Sequence, residues 1–323
     1  MLLSLAAVIT GLALLVWSAD RFVDGASATA DNLGVSPLII GITIIGFGTS
    51  APEILISVFS VFDNTPDLAI GNALGSNIAN IGLILGVTAL IIPIGFASKL
   101  LLREFPILLL ASALMTWVLW DTQLDLIDGI LLLVTLVIAL LYLVRVSRRE
   151  VNDELARELE QEIPHNIPLK HALMWTLVGL LILIGSSRLL VWGAVEIATY
   201  FGISELIIGL TIVAVGTSLP ELAASIAGAR KGEPEMVMGN VVGSNLFNSL
   251  AVIGIPSVMV NFSISPVAIS RDLPVMLALT ALLYLLAHLP RNSCCLITRF
   301  KGIILLIGFV LYQGLLYYQV LSH

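Results

Sequence analysis

The hydrophobic positions of this chain fall into long unbroken blocks, not into the alternation of exposed strands or the one-sided stripes of soluble helices. No Asp, Glu, Lys or Arg occurs in residues 1–19, 32–52, 68–98, 105–120, 129–144, 236–270 or 302–323. Wound as α-helix, a run of about 18 residues or more matches the ~30 Å hydrocarbon thickness of a bilayer. The blocks predict ten apolar spans: 2–22, 36–61, 68–93, 104–120 and 127–145, then 171–193, 204–228, 236–260, 273–289 and 301–320. The expected fold is an all-α polytopic membrane protein.

The chain also repeats itself at a spacing of 168 residues. Gly48-Thr49-Ser50-Ala51-Pro52-Glu53 meets Gly216-Thr217-Ser218-Leu219-Pro220-Glu221 at that offset. Gly71-Asn72, Gly75-Ser76-Asn77 and Asn80 then meet Gly239-Asn240, Gly243-Ser244-Asn245 and Asn248. Residues 34–80 laid on 202–248 without gaps share 21 identities in 47 pairs, which marks a duplication. The match extends outward to Ser18 with Ser186 and to Arg103-Glu104 with Arg271-Asp272. Residues 1–19 lack a basic leader region and align with the segment around Ser186, so they read as the first span and not as a cleaved signal.

Each copy holds five spans, an odd number, so the second is expected to start from the opposite face of the bilayer. The predicted organisation is two inverted five-helix repeats, 1–145 and 171–323, joined by a charged linker at 146–170.

Composition agrees: apolar residues make up 58% and charged residues 11%, against roughly 25% charged in soluble proteins. With this threading, 13 of the 15 Lys and Arg lie on the linker's face, and only Arg188 and Arg271 on the other. Basic residues favour the cytoplasmic side, so both termini are expected outside and the linker inside, in an inner-membrane protein. The linker reads as a solvated connector, since its acids alternate with Arg and no glycine-turned calcium loop occurs. Scattered basic residues give no nucleic-acid surface, and no obligate protein partner is evident. Cys294 and Cys295 are too few for a disulfide framework or metal cage. His165, His171, His288 and His323 lie outside the repeated motifs. Asp20 and Arg21 read as an interfacial pair, and Glu196 and Glu205 as anchors near span ends.

Glu53 and Glu221 carry the chemistry. Each falls mid-span, where inserting a carboxylate costs about 2.5–3.5 kcal/mol or more, and packing alone gives no reason to place one twice at matching positions. Thr49 and Ser50 lie four and three residues before Glu53, as Thr217 and Ser218 do before Glu221, so hydroxyls and carboxylate share a helical face. Pro52 and Pro220 donate no N–H, which is expected to free the carbonyls of Gly48 and Gly216. Ser76 with Asn80, and Ser244 with Asn248, project from one face of the following spans. Carboxylates, hydroxyls, amide oxygens and freed carbonyls together suit hard cations such as Ca²⁺ and Na⁺. For the asparagines a plainer reading stays open: Gly71 with Gly75 and Gly239 with Gly243 permit close helix packing, and the amides then bond across it.

The paired motifs resemble the two alpha repeats of the calcium/cation antiporter superfamily, and most nearly its bacterial sodium/calcium exchanger branch, over essentially the whole chain. The resemblance implies a central site opened alternately to each side, with Glu53 and Glu221 as principal ligands. Thr49, Ser50, Thr217 and Ser218 would add hydroxyl or carbonyl oxygens, and Ser76, Asn80, Ser244 and Asn248 the flanking sodium positions. Calcium and sodium are then cargo, and no cofactor is implied. One departure stands out: exchangers of this family carry an acid at one of the positions matching Asn80 and Asn248, and here both are Asn. Two glutamates balance one Ca²⁺ or two Na⁺, whereas three Na⁺ leave an excess charge. The leading expectation is sodium/calcium antiport; proton-coupled exchange and a passive cation channel stay open. A membrane enzyme falls away for want of a nucleophile–base pair or a zinc motif.

Overall fold

The computed structural model describes residues 1–34, 46–95, 98–147, 167–231, 234–288 and 296–321. The start of the span at 36, most of the linker, His165, His323, Cys294 and Cys295 lie outside the described residues.

Two helices, Leu2–Asn32 and Leu169–Phe201, run longer than their apolar blocks, at 31 and 33 residues. Polar side chains at Asp20, Arg21 and Asp24 do not stop a helix, because nothing in them breaks the backbone ladder. The stop comes where the repeat places a glycine: Gly34 (φ 77°) and Gly202 (φ 64°) take up the left-handed conformation that ends each helix. At 1.5 Å per residue both exceed the hydrocarbon core, so they tilt or stand into the headgroups.

These helices pack antiparallel. Gly11 lies on Leu190, Gly25 on Ala172–Thr176, Gly179 on Phe22 and Gly193 on Ser4. Small residues let two backbones approach, which is how helices hold together in lipid without a hydrophobic drive between them. Thr29 Oγ1 and Thr176 Oγ1 meet across the crossing at 3.4 Å. Arg21 does not pair with Asp20 as expected. It reaches Asp24 at 3.6 Å and lies over the Trp175 ring, because residues three apart share a helix face and adjacent ones do not.

The segments carrying the glutamates are broken as the prolines require. Helix Gly46–Thr49 ends, Ser50 turns (φ −86°, ψ 0°), and helix Ala51–Phe62 resumes with Pro52 in its first turn. In the second copy, Glu205–Ile208 passes through a π-turn into Ala214–Thr217, Ser218 repeats the break (φ −83°, ψ 5°), and Leu219–Lys231 follows. One detail differs from expectation: the Gly216 carbonyl accepts a backbone N–H at the break instead of standing free.

The next spans form the buried centre. Helix Pro66–Ala79 continues through a π-turn at Asn80–Ile84 into Leu85–Ile91. Helix Pro234–Phe247 does the same through Asn248–Val252 into Ile253–Met259. Each π-turn opens on the repeated asparagine, a placement typical of functional sites. The outer ring consists of Ser98–Leu119, Leu126–Ser147, Leu273–His288 and Arg299–Leu321, with Leu110, Trp117, Ile127 and Leu311 exposed where lipid would lie. Two short antiparallel ribbons tie loops of one copy to loops of the other: Ile94–Gly95 with Leu296–Ile297, and Gln123–Leu124 with Phe262–Ser263.

Among the described residues eight helices are long and apolar enough to cross a membrane, and Ala51–Phe62 and Glu104–Leu119 are shorter apolar helices. The chain is a multi-span membrane protein.

Gly25→Val would drive a side chain into the backbone at Ala172–Thr176, 2.4 Å from Thr176 N. It is expected to cost about 1–3 kcal/mol and to lower the unfolding temperature of the detergent-purified protein. Gly185→Val, whose Cβ meets nothing within 4 Å, is the matched control and should leave that temperature in place.

Candidate functional site

Each glutamate sits in the first turn after a helix break, so its backbone is positioned by the proline and serine before it. Glu53 and Glu221 are 0% and 1% exposed. None of their four carboxylate oxygens closes a hydrogen bond of normal geometry. The contrast is Asp272, equally buried, whose carboxylate accepts from Arg271 Nε at 2.6 Å, Arg271 Nη2 at 2.9 Å and Tyr312 Oη at 2.7 Å. A buried carboxylate without partners is costly, and buried charges are ordinarily paired or bound to a metal ion.

The two copies interleave around the pair. The hydroxyl of Thr217 lies beside Glu53, that of Ser244 beside Glu221, and the charge of Glu53 bears directly on Glu221. Ser76 Oγ meets Thr217 Oγ1 at 3.4 Å, and Thr217 Oγ1 donates to Asn72 Oδ1 at 3.3 Å. Asn80 Nδ2 donates to Asn245 Oδ1 at 3.0 Å, which joins the central helices.

Five further buried oxygens of the duplicated motifs likewise lack hydrogen-bond partners: Ser50 Oγ, Ser218 Oγ, Ser244 Oγ, Asn80 Oδ1 and Asn248 Oδ1. Thr49, the match of the fully buried Thr217, is only half-buried. Asn248 makes no hydrogen bond through either amide atom. Among the described residues no three His, Cys, Asp or Glu side chains gather. The donor set is therefore two carboxylates and neutral oxygens, chemistry that suits a hard cation better than a thiolate- or imidazole-seeking metal.

Sequence reasoning passed over the residues that hold this arrangement. Asn72 Nδ2 donates to the Glu53 backbone carbonyl at 3.0 Å and to Ser57 Oγ at 3.2 Å. Asn240 Nδ2 repeats both bonds, to the Glu221 carbonyl at 3.3 Å and Ser225 Oγ at 3.2 Å. They give each glutamate carbonyl a side-chain donor and tie the start of the resumed helix to the next span. Asn77 Nδ2 donates to Ser249 Oγ at 3.1 Å, and Asn245 Nδ2 to the Asn77 carbonyl at 3.5 Å. All fall within the duplicated stretch at the 168-residue offset, and that identity was the available signal.

Comparison with known proteins agrees with this architecture. The sequence matches the family described as sodium/calcium exchanger protein over residues 3–145 and 171–318. The inner membrane protein YrbG of Escherichia coli is 43% identical over 323 residues, 98% of each chain. The sodium/calcium exchanger MaX1 of Methanosarcina acetivorans is 30% identical over 342 aligned positions, 95% of this chain and 97% of its own. Among solved structures, the sodium-calcium exchanger NCX_Mj, soaked with Na⁺ and Sr²⁺, aligns with TM-score 0.67 and 33% identity over 97% of this chain and 98% of its own.

Asn72→Leu keeps the side-chain volume but removes the donor from the Glu53 carbonyl and Ser57. A loss of about 1–3 kcal/mol in stability is expected, read as a lower unfolding temperature. Unchanged stability would show that the bond is idle.

Proposed function

This chain belongs to the sodium/calcium exchanger family, and from that membership and the donor set we propose that it is a secondary antiporter exchanging Ca²⁺ for Na⁺. The observation that carries the reading is the pair Glu53 and Glu221, buried, mutually interacting and without hydrogen-bond partners. A divalent cation balances both charges. Two sodium ions do the same with the neutral oxygens of Thr49, Ser50, Ser76, Asn80, Thr217, Ser218, Ser244 and Asn248 as further ligands. The two cargoes compete for one set of oxygens, so binding of one displaces the other, and no covalent chemistry is involved.

We read the architecture as ten spans in two inverted repeats, 1–145 and 171–323, with 146–170 as the connector. Supporting this are the sequence duplication, the antiparallel packing of the matching helices Leu2–Asn32 and Leu169–Phe201, and hydrogen bonds that recur at the same offset. We count the shorter apolar helices Ala51–Phe62 and Glu104–Leu119, the latter continuous with Ser98–Leu119, as the other two spans. The distribution of Lys and Arg favours both termini outside and the connector in the cytoplasm. The inner-membrane name of the E. coli relative favours the same membrane here. In that orientation sodium entry drives calcium export.

A second reading has one observation behind it: carboxylate oxygens without donors accept protons as readily as cations, so protons could replace sodium as the coupling ion. Vesicles decide between them. Sodium-loaded proteoliposomes should take up radiolabelled calcium against a sodium-free exterior, and Glu53→Gln or Glu221→Gln should reduce uptake to the protein-free background. Unimpaired exchange in either variant removes that residue from the site. Uptake that follows an imposed pH gradient without sodium replaces sodium coupling with proton coupling.

A further inference from the structure

Resting on the reading of Asn80 and Asn248 as sodium ligands, we propose that Asn245 is a positioning residue. It fixes which end of the Asn80 amide meets the ion, and its repeat counterpart Asn77 does not do the same for Asn248. The two ligand asparagines are then unequal, one preset and one adjustable.

The four side chains form the matched pairs Asn77 with Asn245 and Asn80 with Asn248 at the 168-residue offset, and all four are buried. Asn80 and Asn248 each open a π-turn. An amide offers a cation its oxygen, while its NH₂ group is a donor that a cation repels, so its use as a ligand depends on what holds the nitrogen. For Asn80 the nitrogen is held. Its Nδ2 donates to Asn245 Oδ1 at 3.0 Å, which leaves Oδ1 as the buried, unpartnered end. Asn245 is itself engaged at both amide atoms, because its Nδ2 donates to the Asn77 main-chain carbonyl at 3.5 Å.

The counterpart bond, from Asn248 Nδ2 to Asn77 Oδ1, is not made. Both of those atoms are buried and without hydrogen-bond partners. The sequence supplies a cause. Asn77 commits its Nδ2 to Ser249 Oγ at 3.1 Å and to Met276 Sδ at 3.4 Å. The residues at the same offset on the Asn245 side are Ile81 and Leu108, whose side chains offer no acceptor. Two differences between the copies, both outside the glutamate motifs, therefore turn Asn77 aside and leave Asn245 to its partner. A side chain that must be ordered when its ligand arrives costs affinity, and one already ordered does not. Asn80 is already ordered and Asn248 is not. The bond between the copies thus sets sodium affinity at the Asn80 position, whereas the charge of calcium is met by the carboxylates.

Displacement of radiolabelled calcium from the purified protein by sodium tests this, since it gives the calcium affinity and the half-displacing sodium concentration separately. Asn245→Leu should raise the half-displacing sodium concentration about two- to fivefold, the effect of one side chain left to be ordered on binding, with the calcium affinity unchanged. Asn77→Leu also removes two side-chain hydrogen bonds from this network. It should lower the unfolding temperature comparably, yet shift sodium less than Asn245→Leu does. In an Asn80→Ala background, which by itself weakens sodium, Asn245→Leu should add nothing. Should Asn245→Leu fail to fold, Asn245→Ala, which crowds nothing, carries the same expectation. An equal or larger sodium shift in Asn77→Leu, a parallel loss of calcium affinity in Asn245→Leu, or an additive effect on top of Asn80→Ala would overturn the positioning role and leave the sodium ligands standing. Sodium displacement unchanged in Asn80→Ala would remove Asn80 from the ligands and the role of Asn245 with it.

Discussion

Two carboxylates brought together at the centre of an apolar bundle, with no protein cation paired to them among the described residues, set the terms for the rest of the molecule. In their ionised form their burial calls for a compensating positive charge, and neutrality otherwise takes a proton. The breaks at Ser50 and Ser218 aim the carboxylates inward. Asn72 and Asn240 pin the main chain of the glutamates. Thr217 and Ser244 bring a hydroxyl beside each acid, and the one beside Glu53 comes from the other copy. Asp272 shows what this protein does with a carboxylate meant to stay put: it surrounds it with Arg271 and Tyr312. Glu53 and Glu221 have been left without such partners.

The positions at the π-turns are neutral, since Asn80 and Asn248 both carry amides. The fixed charge of the central site is therefore −2 when both glutamates are ionised. An exchange of one divalent for two monovalent ions leaves that balance unchanged through the cycle, whereas a third monovalent ion adds a charge in a medium of low dielectric constant. Asn248 keeps both amide atoms buried and unpartnered.

Much of this was legible in the sequence because the duplication printed it twice. Glu53 with Glu221, Pro52 with Pro220 and the hydroxyls before them sat at one offset, and the broken helices follow from proline chemistry alone. Three things were not legible, each for a physical reason. The ends of Leu2–Asn32 and Leu169–Phe201 are set by left-handed glycines and not by loss of hydropathy, so apolar blocks undercounted them. The partner of Arg21 depended on helix geometry, not on adjacency. Asn72 and Asn240 stood within the motif but gave no hint of their carbonyl partners, which only the turn of the chain at Ser50 and Ser218 brings within reach.

The central claim is that Glu53 and Glu221 serve one ion together, not two ions separately. Equilibrium binding of radiolabelled calcium to the purified protein tests it most directly. The account predicts one sodium-displaceable calcium per chain, lost completely in Glu53→Gln and equally in Glu221→Gln. Half the calcium remaining in each single variant, and none in the double, would mean two independent sites and would contradict it.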